Sequence, residues 1–410
     1  MRLGRRGTVR DLRRENRAAV LWSLYFSRPG SRQGLSAATG LSPASVTNVV
    51  RELLDEGIVT EAGSEDSDGG RPRVLLDINP GYGYVIGVDI GETRIRVELF
   101  DLAMTERAKA EYPLDPAEHE VDVVVRDIAA GLTTVLRDAG IEPAAVLGVG
   151  VGVPGIVEQG REVRVHAQTY GWDAVPLERL LRAHTGLPLR FENGAKTMGQ
   201  AELWFGAGRG ARSVAVVLIG SGVGASLISG GSTYRGASAS AAELGHTTIV
   251  VGGRRCRCGA AGCLEAYVGA EAILDRYGSP ATLSAKDEES MLAALITTAG
   301  SSSAADAVLA ETADFLGVGI GNFINLFNPE RVILGGWAGL LLGSRLLPDI
   351  CESARRNSLR RPFAAASIGL GQLGAEAVAL GAATLPMEEF LNGASRPPLV
   401  KTPVLTGSSD

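Results

Sequence analysis

The chain has 410 residues, 45% of them apolar and 21% charged, with a net charge of −6; it is too long for one ordinary core and too apolar for a disordered chain, so a soluble protein of two or three domains is expected. Its longest apolar runs, such as Val214–Ile219, are strand-sized, and the stretch around Leu340 is cut by Gly336, Gly339 and Gly343, so no bilayer span is expected. The early run Ala18–Phe26 lacks a signal-peptide cleavage site, and four cysteines, three of them clustered, fit a reducing cytoplasm better than a disulfide scaffold.

The charge is unevenly spread. Residues 1–55 carry ten arginines against Asp11, Glu15, Glu52 and Asp55, a surplus of six, so the remainder must be strongly acidic. A basic head on an acidic body suggests a small nucleic-acid-binding module. Residues 10–26 show helical apolar spacing that ends at Pro29-Gly30, and Ser31 caps a second helix that stops at Gly40. Ser42 as N-cap and Pro43 at the first position start a third helix. Its inward face is Val46, Val49, Val50, Leu53 and Leu54, and its outer face offers Ser45, Thr47, Asn48 and Arg51 to base edges and phosphates. With Ile58-Val59, a polar Gly-rich turn and a strand Val74–Ile78, residues 1–79 form a winged helix-turn-helix whose wing carries Arg71 and Arg73 beside Pro72. A protein-docking helical domain is the other reading, and it leaves the arginine surplus unexplained.

Asn79-Pro80-Gly81 marks a boundary. Beyond it, Tyr84–Asp101 reads as an apolar strand, a turn at Gly91 and an alternating strand, and the same grammar returns at Val214–Gly231. Two such hairpins predict a duplicated, two-lobed α/β body with a cleft. Between them fall a helix Val121–Ala139, a strand Leu147–Val153, a helix near Leu177–His184 and a strand Pro188–Phe191. Later come helices near 268–277, 286–298 and 303–327, a strand Arg331–Leu334 and a last helix around Glu376–Ala383. The expected division is lobe 1 over 80–190 with the C-terminal helix 373–386, lobe 2 over 191–372, and a disordered tail over 387–410.

The densest chemistry lies at Glu243–Glu265. Cys256, Cys258 and Cys263 fall within eight residues, Gly259 and Gly262 let the loop fold back, and His246 can complete a four-ligand zinc site. Four protein ligands leave no open position, so the zinc would be structural. The alternatives are a disulfide, which Cys256 and Cys258 are too close to form and which leaves a thiol over, or unliganded core cysteines.

This order of segments resembles the ROK family (repressor, open reading frame, kinase) over roughly residues 10–385, most specifically through Glu243-Leu-Gly-His246 and Cys256-x-Cys258-Gly-x-x-Gly-Cys263-x-Glu265. The resemblance implies an actin-like sugar-kinase fold, zinc on His246, Cys256, Cys258 and Cys263, and sugar hydroxyls contacted by Glu243 and Glu265 with His246 and Asn193 beside them. A winged-helix head is similar to that of the family's regulators, and the kinases lack it. Three departures fall on the catalytic side. Gly194 stands where the kinases place an Asp base, a loss worth about 10²- to 10⁴-fold in rate; Glu92 replaces a glycine of the first phosphate hairpin, where it would repel a triphosphate; and Trp337 interrupts the adenosine-side glycines. The expectation is therefore a cytoplasmic, sugar-responsive repressor and not an enzyme. It would bind double-stranded operator DNA as a homodimer or homotetramer, with a monosaccharide or sugar phosphate as effector. An active ATP-dependent sugar kinase with a DNA-binding head is the alternative, and a ligand-free DNA-binding scaffold a third.

Overall fold

The computed structural model describes residues 8–66, 72–114, 120–278 and 288–393. The head opens with α1 (Val9–Phe26), whose N-cap Thr8 exchanges bonds with Asp11 in a capping box not anticipated from sequence. It continues through β1 (Gly30–Ser31), α2 (Arg32–Thr39) and α3 (Pro43–Asp55), then a wing of β2 (Val59–Glu65) and β3 (Arg73–Ile78), with strand order β1-β3-β2. Gly40 at φ 71° closes α2, and Ser42 with Pro43 starts α3, as the sequence predicts. The two-residue β1 carries too little pattern to be foreseen.

Lobe 1 runs β4 (Tyr84–Ile90), β5 (Arg94–Asp101), β6 (Glu106–Pro113), α4 (Val121–Ala139), β7 (Val146–Val153), β8 (Ile156–Glu158), β9 (Arg164–Ala167), β10 (Trp172–Val175), α5 (Leu177–Arg182) and β11 (Leu189–Asn193). Its main sheet has the order β11-β7-β4-β5-β6, and β8, β9 and β10 form a small separate sheet. α6 (Gly194–Phe205) leads to lobe 2, which runs β12 (Ser213–Ile219), β13 (Val223–Ser229), β14 (Ser232–Thr233), α7 (Glu265–Val268), α8 (Ala270–Tyr277), α9 (Glu288–Thr298), α10 (Ser303–Phe327), β15 (Arg331–Gly335), α11 (Trp337–Arg356), α12 (Arg360–Ala365) and β16 (Ser367–Leu370). The order there is β14-β13-β12-β15-β16, and α13 (Ala377–Leu391) closes the described chain. Each main sheet is an antiparallel meander of three strands extended by two parallel strands, so the duplication expected from the two hairpins is present.

The lobes exchange helices. α6 follows a lobe 1 strand yet packs on β12 and β13 of lobe 2, while α13 follows a lobe 2 strand and packs on β4 and β7 of lobe 1. The two helices also pack on each other. Glycine makes this possible: a Cβ on Gly150 would lie 1.8 Å from the Ala382 carbonyl oxygen, and one on Gly381 would lie 1.9 Å from that of Thr197. Strand β7, alternating Val and Gly, therefore reads as a sheet face pressed against a helix backbone.

Two expectations need correction. β11 is the edge strand of the lobe 1 sheet, so a boundary at 190 cuts through it and lobe 1 ends at Asn193. The segment expected to be disordered from 387 begins as helix: α13 passes through Pro386 to Leu391, and Met387, Phe390 and Leu391 are buried in the core that the head and body share. Residues 394–410 of that segment lie outside the described residues. The segment Asn79-Pro80-Gly81, expected as a boundary, is held on both sides, because Asn79 donates to the Gly57 carbonyl and Leu102 N to that of Pro80. Among the described residues, α10 is long and apolar enough to cross a membrane by length and composition, but 61% of its most apolar window is buried, which matches a core helix and leaves the expectation of no bilayer span standing.

Substituting Gly150→Ala forces a methyl into the α13 backbone. We expect a loss of about 3 kcal/mol, the upper end for overpacking, or failure to fold, read from urea denaturation.

Candidate functional site

The head presents its polar helix face to solvent because Val46, Val49, Val50 and Leu53 are buried beneath it. Thr47, Asn48 and Arg51 are exposed, and Ser45 is half-buried. Asn48 accepts a hydrogen bond from Arg51 (2.9 Å), Thr47 donates to the Pro43 carbonyl (2.8 Å), and the Ser45 hydroxyl lies 2.9 Å from that of Ser42. Arg73 is exposed at the start of β3, and Arg71 lies outside the described residues. Two other arginines serve the head internally: Arg13 grips Glu52 (2.6 Å) and Arg17 grips Glu56 (2.6 Å), tying α1 to α3. Head and body share one core. The Trp204 ring near the end of α6 meets Trp22 and Phe26 edge-on at 5.3 Å, and Trp22 donates to Asn392 beyond α13.

In lobe 2, the ligand atoms of His246, Cys256, Cys258 and Cys263 all lie within 4.8 Å of one another. The Cys258 and Cys263 sulfurs are 3.7 Å apart, and Cys256 Sγ is 3.7 Å from His246 Nδ1. A disulfide needs about 2.05 Å. A tetrahedron with metal–sulfur bonds of about 2.3 Å has edges of about 3.8 Å. The donors therefore fit a tetrahedral thiophilic ion and not a disulfide, and all four cysteines are free. Burial pushes the Cys256 thiol up to about 12. Gly259 (φ 90°) and Gly262 (φ 81°) make the turns expected of them, and a Cβ on Gly262 would lie 1.7 Å from the Val250 carbonyl.

Around the cleft, Asn193 caps α6, accepting from Lys196 N (3.1 Å) and donating to the Gly155 carbonyl (2.6 Å). Glu265, at the start of α7, accepts from Val223 N (3.0 Å), so the metal loop is tied to the second hairpin. Glu243 stands just before a single turn that carries His246; burial raises its carboxyl above the ordinary range, opposed by the Lys196 and His246 charges, while Glu265 adds to the rise. These interactions bring Glu243, His246 and Glu265 into one neighbourhood beside the α6 N-terminus.

Sequence reasoning missed Lys196. It is 2% exposed, its ammonium donates to the Ala239 carbonyl, and burial lowers its pKa against the pull of Glu192 and Glu243. Glu192 in turn holds Arg235 (2.7 Å), so the loop after β14 is tied down at two points. The only signal in sequence is a lysine three residues after Asn193, in the first turn of a helix whose one other charged residue is Glu202. Also unforeseen, Tyr170, in the turn between β9 and β10, donates to the Gly91 carbonyl (2.6 Å) of the first hairpin turn. On the opposite hairpin, Gly220 faces the Trp337 indole, while on the first hairpin turn Glu92 accepts from Arg257 (3.2 Å). Side chains of this protein thus stand beside both hairpin turns.

A sequence profile described as the ROK family matches residues 85–389. The chain is 30% identical to the xylose repressor of Caldicellulosiruptor bescii, over 93% of this chain and 97% of that protein. It is also 30% identical to a glucokinase of Halalkalibacterium halodurans, but over 75% of this chain and 96% of that one. Among solved structures, a ROK family transcriptional regulator described as a homolog of the E. coli MLC protein superposes with a TM-score of 0.78 at 25% identity, covering 93% of this chain and 97% of that one.

Cys263→Ser should abolish tight binding of one divalent ion per chain, measured by plasma emission spectrometry after gel filtration. Stoichiometric retention of metal by the variant would remove Cys263 from the site.

Proposed function

The chain belongs to the ROK family, and on that footing we propose that it is a sugar-responsive DNA-binding transcriptional regulator, a repressor, whose body binds a monosaccharide or sugar phosphate without phosphorylating it. The observation that carries this reading is the course of α6. Asn193 caps its first turn in the cleft, and eleven residues on, about 17 Å away, Trp204 stands against the aromatic cluster of α1. A shift of α6 on ligand closure therefore moves the base of the DNA-binding head. α13 runs alongside and contributes Met387 and Phe390 to the same core, so the head follows the lobes as one body.

In this reading the carboxylates of Glu243 and Glu265, the Asn193 amide and His246 recognise vicinal hydroxyls, for which paired acceptors and an amide are suited. Zinc on His246, Cys256, Cys258 and Cys263 is structural, since four protein ligands leave it no open coordination position. Its part is to fix the loop that carries Glu265. Thr47, Asn48 and Arg51 read operator DNA in the major groove with Ser45 beside them, and Arg71 and Arg73 act from the wing. A two-fold pair of heads needs half-sites about 34–36 Å apart or a multiple of that, so a small lobe movement in a homodimer or homotetramer spoils the fit. A cytoplasmic location agrees with this role.

The rival reading is an active sugar kinase with an added head. The glucokinase relative, as identical as the xylose repressor, favours it. Against it stand Gly194, which supplies no base at the head of α6, and the Glu92–Arg257 and Trp337 side chains beside the hairpin turns. Sugar-dependent ADP release well above background with D-xylose, D-glucose or N-acetylglucosamine would favour the kinase.

Titration calorimetry with those three sugars and their phosphates should give heat with at least one, and Glu243→Gln should weaken that binding about tenfold or more, the worth of a hydrogen bond to a charged group. Absence of heat with all of them would sink the sugar-sensing reading.

On genomic fragments retained by the immobilised protein, Arg51→Ala should cost about 1–3 kcal/mol. Trp204→Leu should keep both sugar and DNA binding, yet collapse the sugar-induced change in DNA affinity, about 5- to 150-fold for ordinary coupling, to under about twofold. Full coupling in that variant would exclude the α6 route.

A further inference from the structure

Arg257 sits between the ligands Cys256 and Cys258, so whatever fixes those sulfurs also fixes where its side chain starts. Its guanidinium reaches three carboxylates: Glu92 at 3.2 Å, Glu265 at 3.5 Å and Glu271 at 3.8 Å. Glu265 and Glu271 belong to lobe 2, whereas Glu92 belongs to the turn between β4 and β5 in lobe 1. The contact therefore crosses the cleft.

The floor beneath it is shaped for it. A Cβ on Gly222, in the turn between β12 and β13, would lie 2.7 Å from Arg257 Nη2, 2.8 Å from Glu265 Oε2 and 3.4 Å from Glu92 Oε1. Only glycine leaves room for these three groups to meet. A second pair, Arg94 to Glu289 at 3.2 Å, joins β5 of lobe 1 to α9 of lobe 2. Glu92 and Arg257 are both largely sheltered, at 21% and 28% side-chain exposure, so salt screens their attraction less than it would a surface pair.

We infer that Arg257 is a positioning residue with two tasks: it holds the Glu265 carboxylate at the sugar pocket, and through Glu92 it clasps lobe 1 against lobe 2, so that metal loading of the loop is read out as lobe closure. The inference rests on the proposed cleft but not on any particular sugar. An empty or mis-metallated loop lets Arg257 swing away from Glu92 and loosens the cleft even when all other groups are in place.

The test needs neither sugar nor DNA, which separates its failure from failure of the proposed function. Glu92→Gln lies in lobe 1, outside the metal loop, so the full-length variant should keep the same metal content as the parent. Its radius of gyration from small-angle X-ray scattering should rise, and backbone amides in 220–224 and 254–263 of lobe 2 should exchange with deuterium about fivefold faster or more. Stripping the parent with a chelator should produce the same opening, and stripping Glu92→Gln should add little to it. Arg257→Gln should behave like Glu92→Gln, while Arg257→Lys, which keeps the charge, should restore most of the closure. Unchanged scattering and exchange in Glu92→Gln would overturn the clasp. Chelation that opened Glu92→Gln as far beyond its own starting point as it opens the parent would cut the link to the metal.

Discussion

The structure depends on a backbone-to-backbone crossing. Helices α6 and α13 approach each other and the lobe 1 sheet so closely that Gly87, Gly150 and Gly381 have no space for a methyl group. Interiors packed this tightly transmit displacement, because a shift has nowhere to be absorbed. That crossing is what turns two similar sheets into one hinged body, and it gives the head a footing in the same core through Trp204, Met387 and Phe390.

On the cleft side of this crossing, the protein satisfies its own polar and charged groups. Asn193 serves α6, Lys196 serves the loop at Ala239, and Glu265 serves Val223 N and Arg257. A ligand entering the cleft must offer hydrogen bonds at least as good as these, since each donor or acceptor left stranded is costly. This favours a polyhydroxylated ligand over an apolar one. It also discriminates sharply, because a hydroxyl missing from the ligand leaves a protein group unpaired.

Much of this was legible in the sequence where local chemistry decides the outcome. Ser42-Pro43, Gly40 and the two strand-turn-strand segments fix their elements through capping, left-handed backbone and alternation, which are short-range effects. The metal cluster could be read because its four donors lie within one loop and a neighbouring turn. What could not be read was set by contacts between distant segments. β11 joins lobe 1 through pairing with β7, and α13 continues through Pro386 because residues beyond it find the head. Lys196 and Arg257 acquire their surroundings only when the 235–242 loop and the first hairpin fold over them.

The bonds of Arg13 to Glu52 and of Arg17 to Glu56 bear on how the head should engage a polyanion. Counting arginines treats every one as a potential phosphate partner, but these two are already paired with carboxylates of their own domain. Fewer condensed cations would be displaced from a duplex than the tally implies, so association should be less sensitive to ionic strength than so arginine-rich a segment suggests. A correspondingly larger share of the affinity would come from short-range contacts on α3, the part of the interaction that can tell one sequence from another.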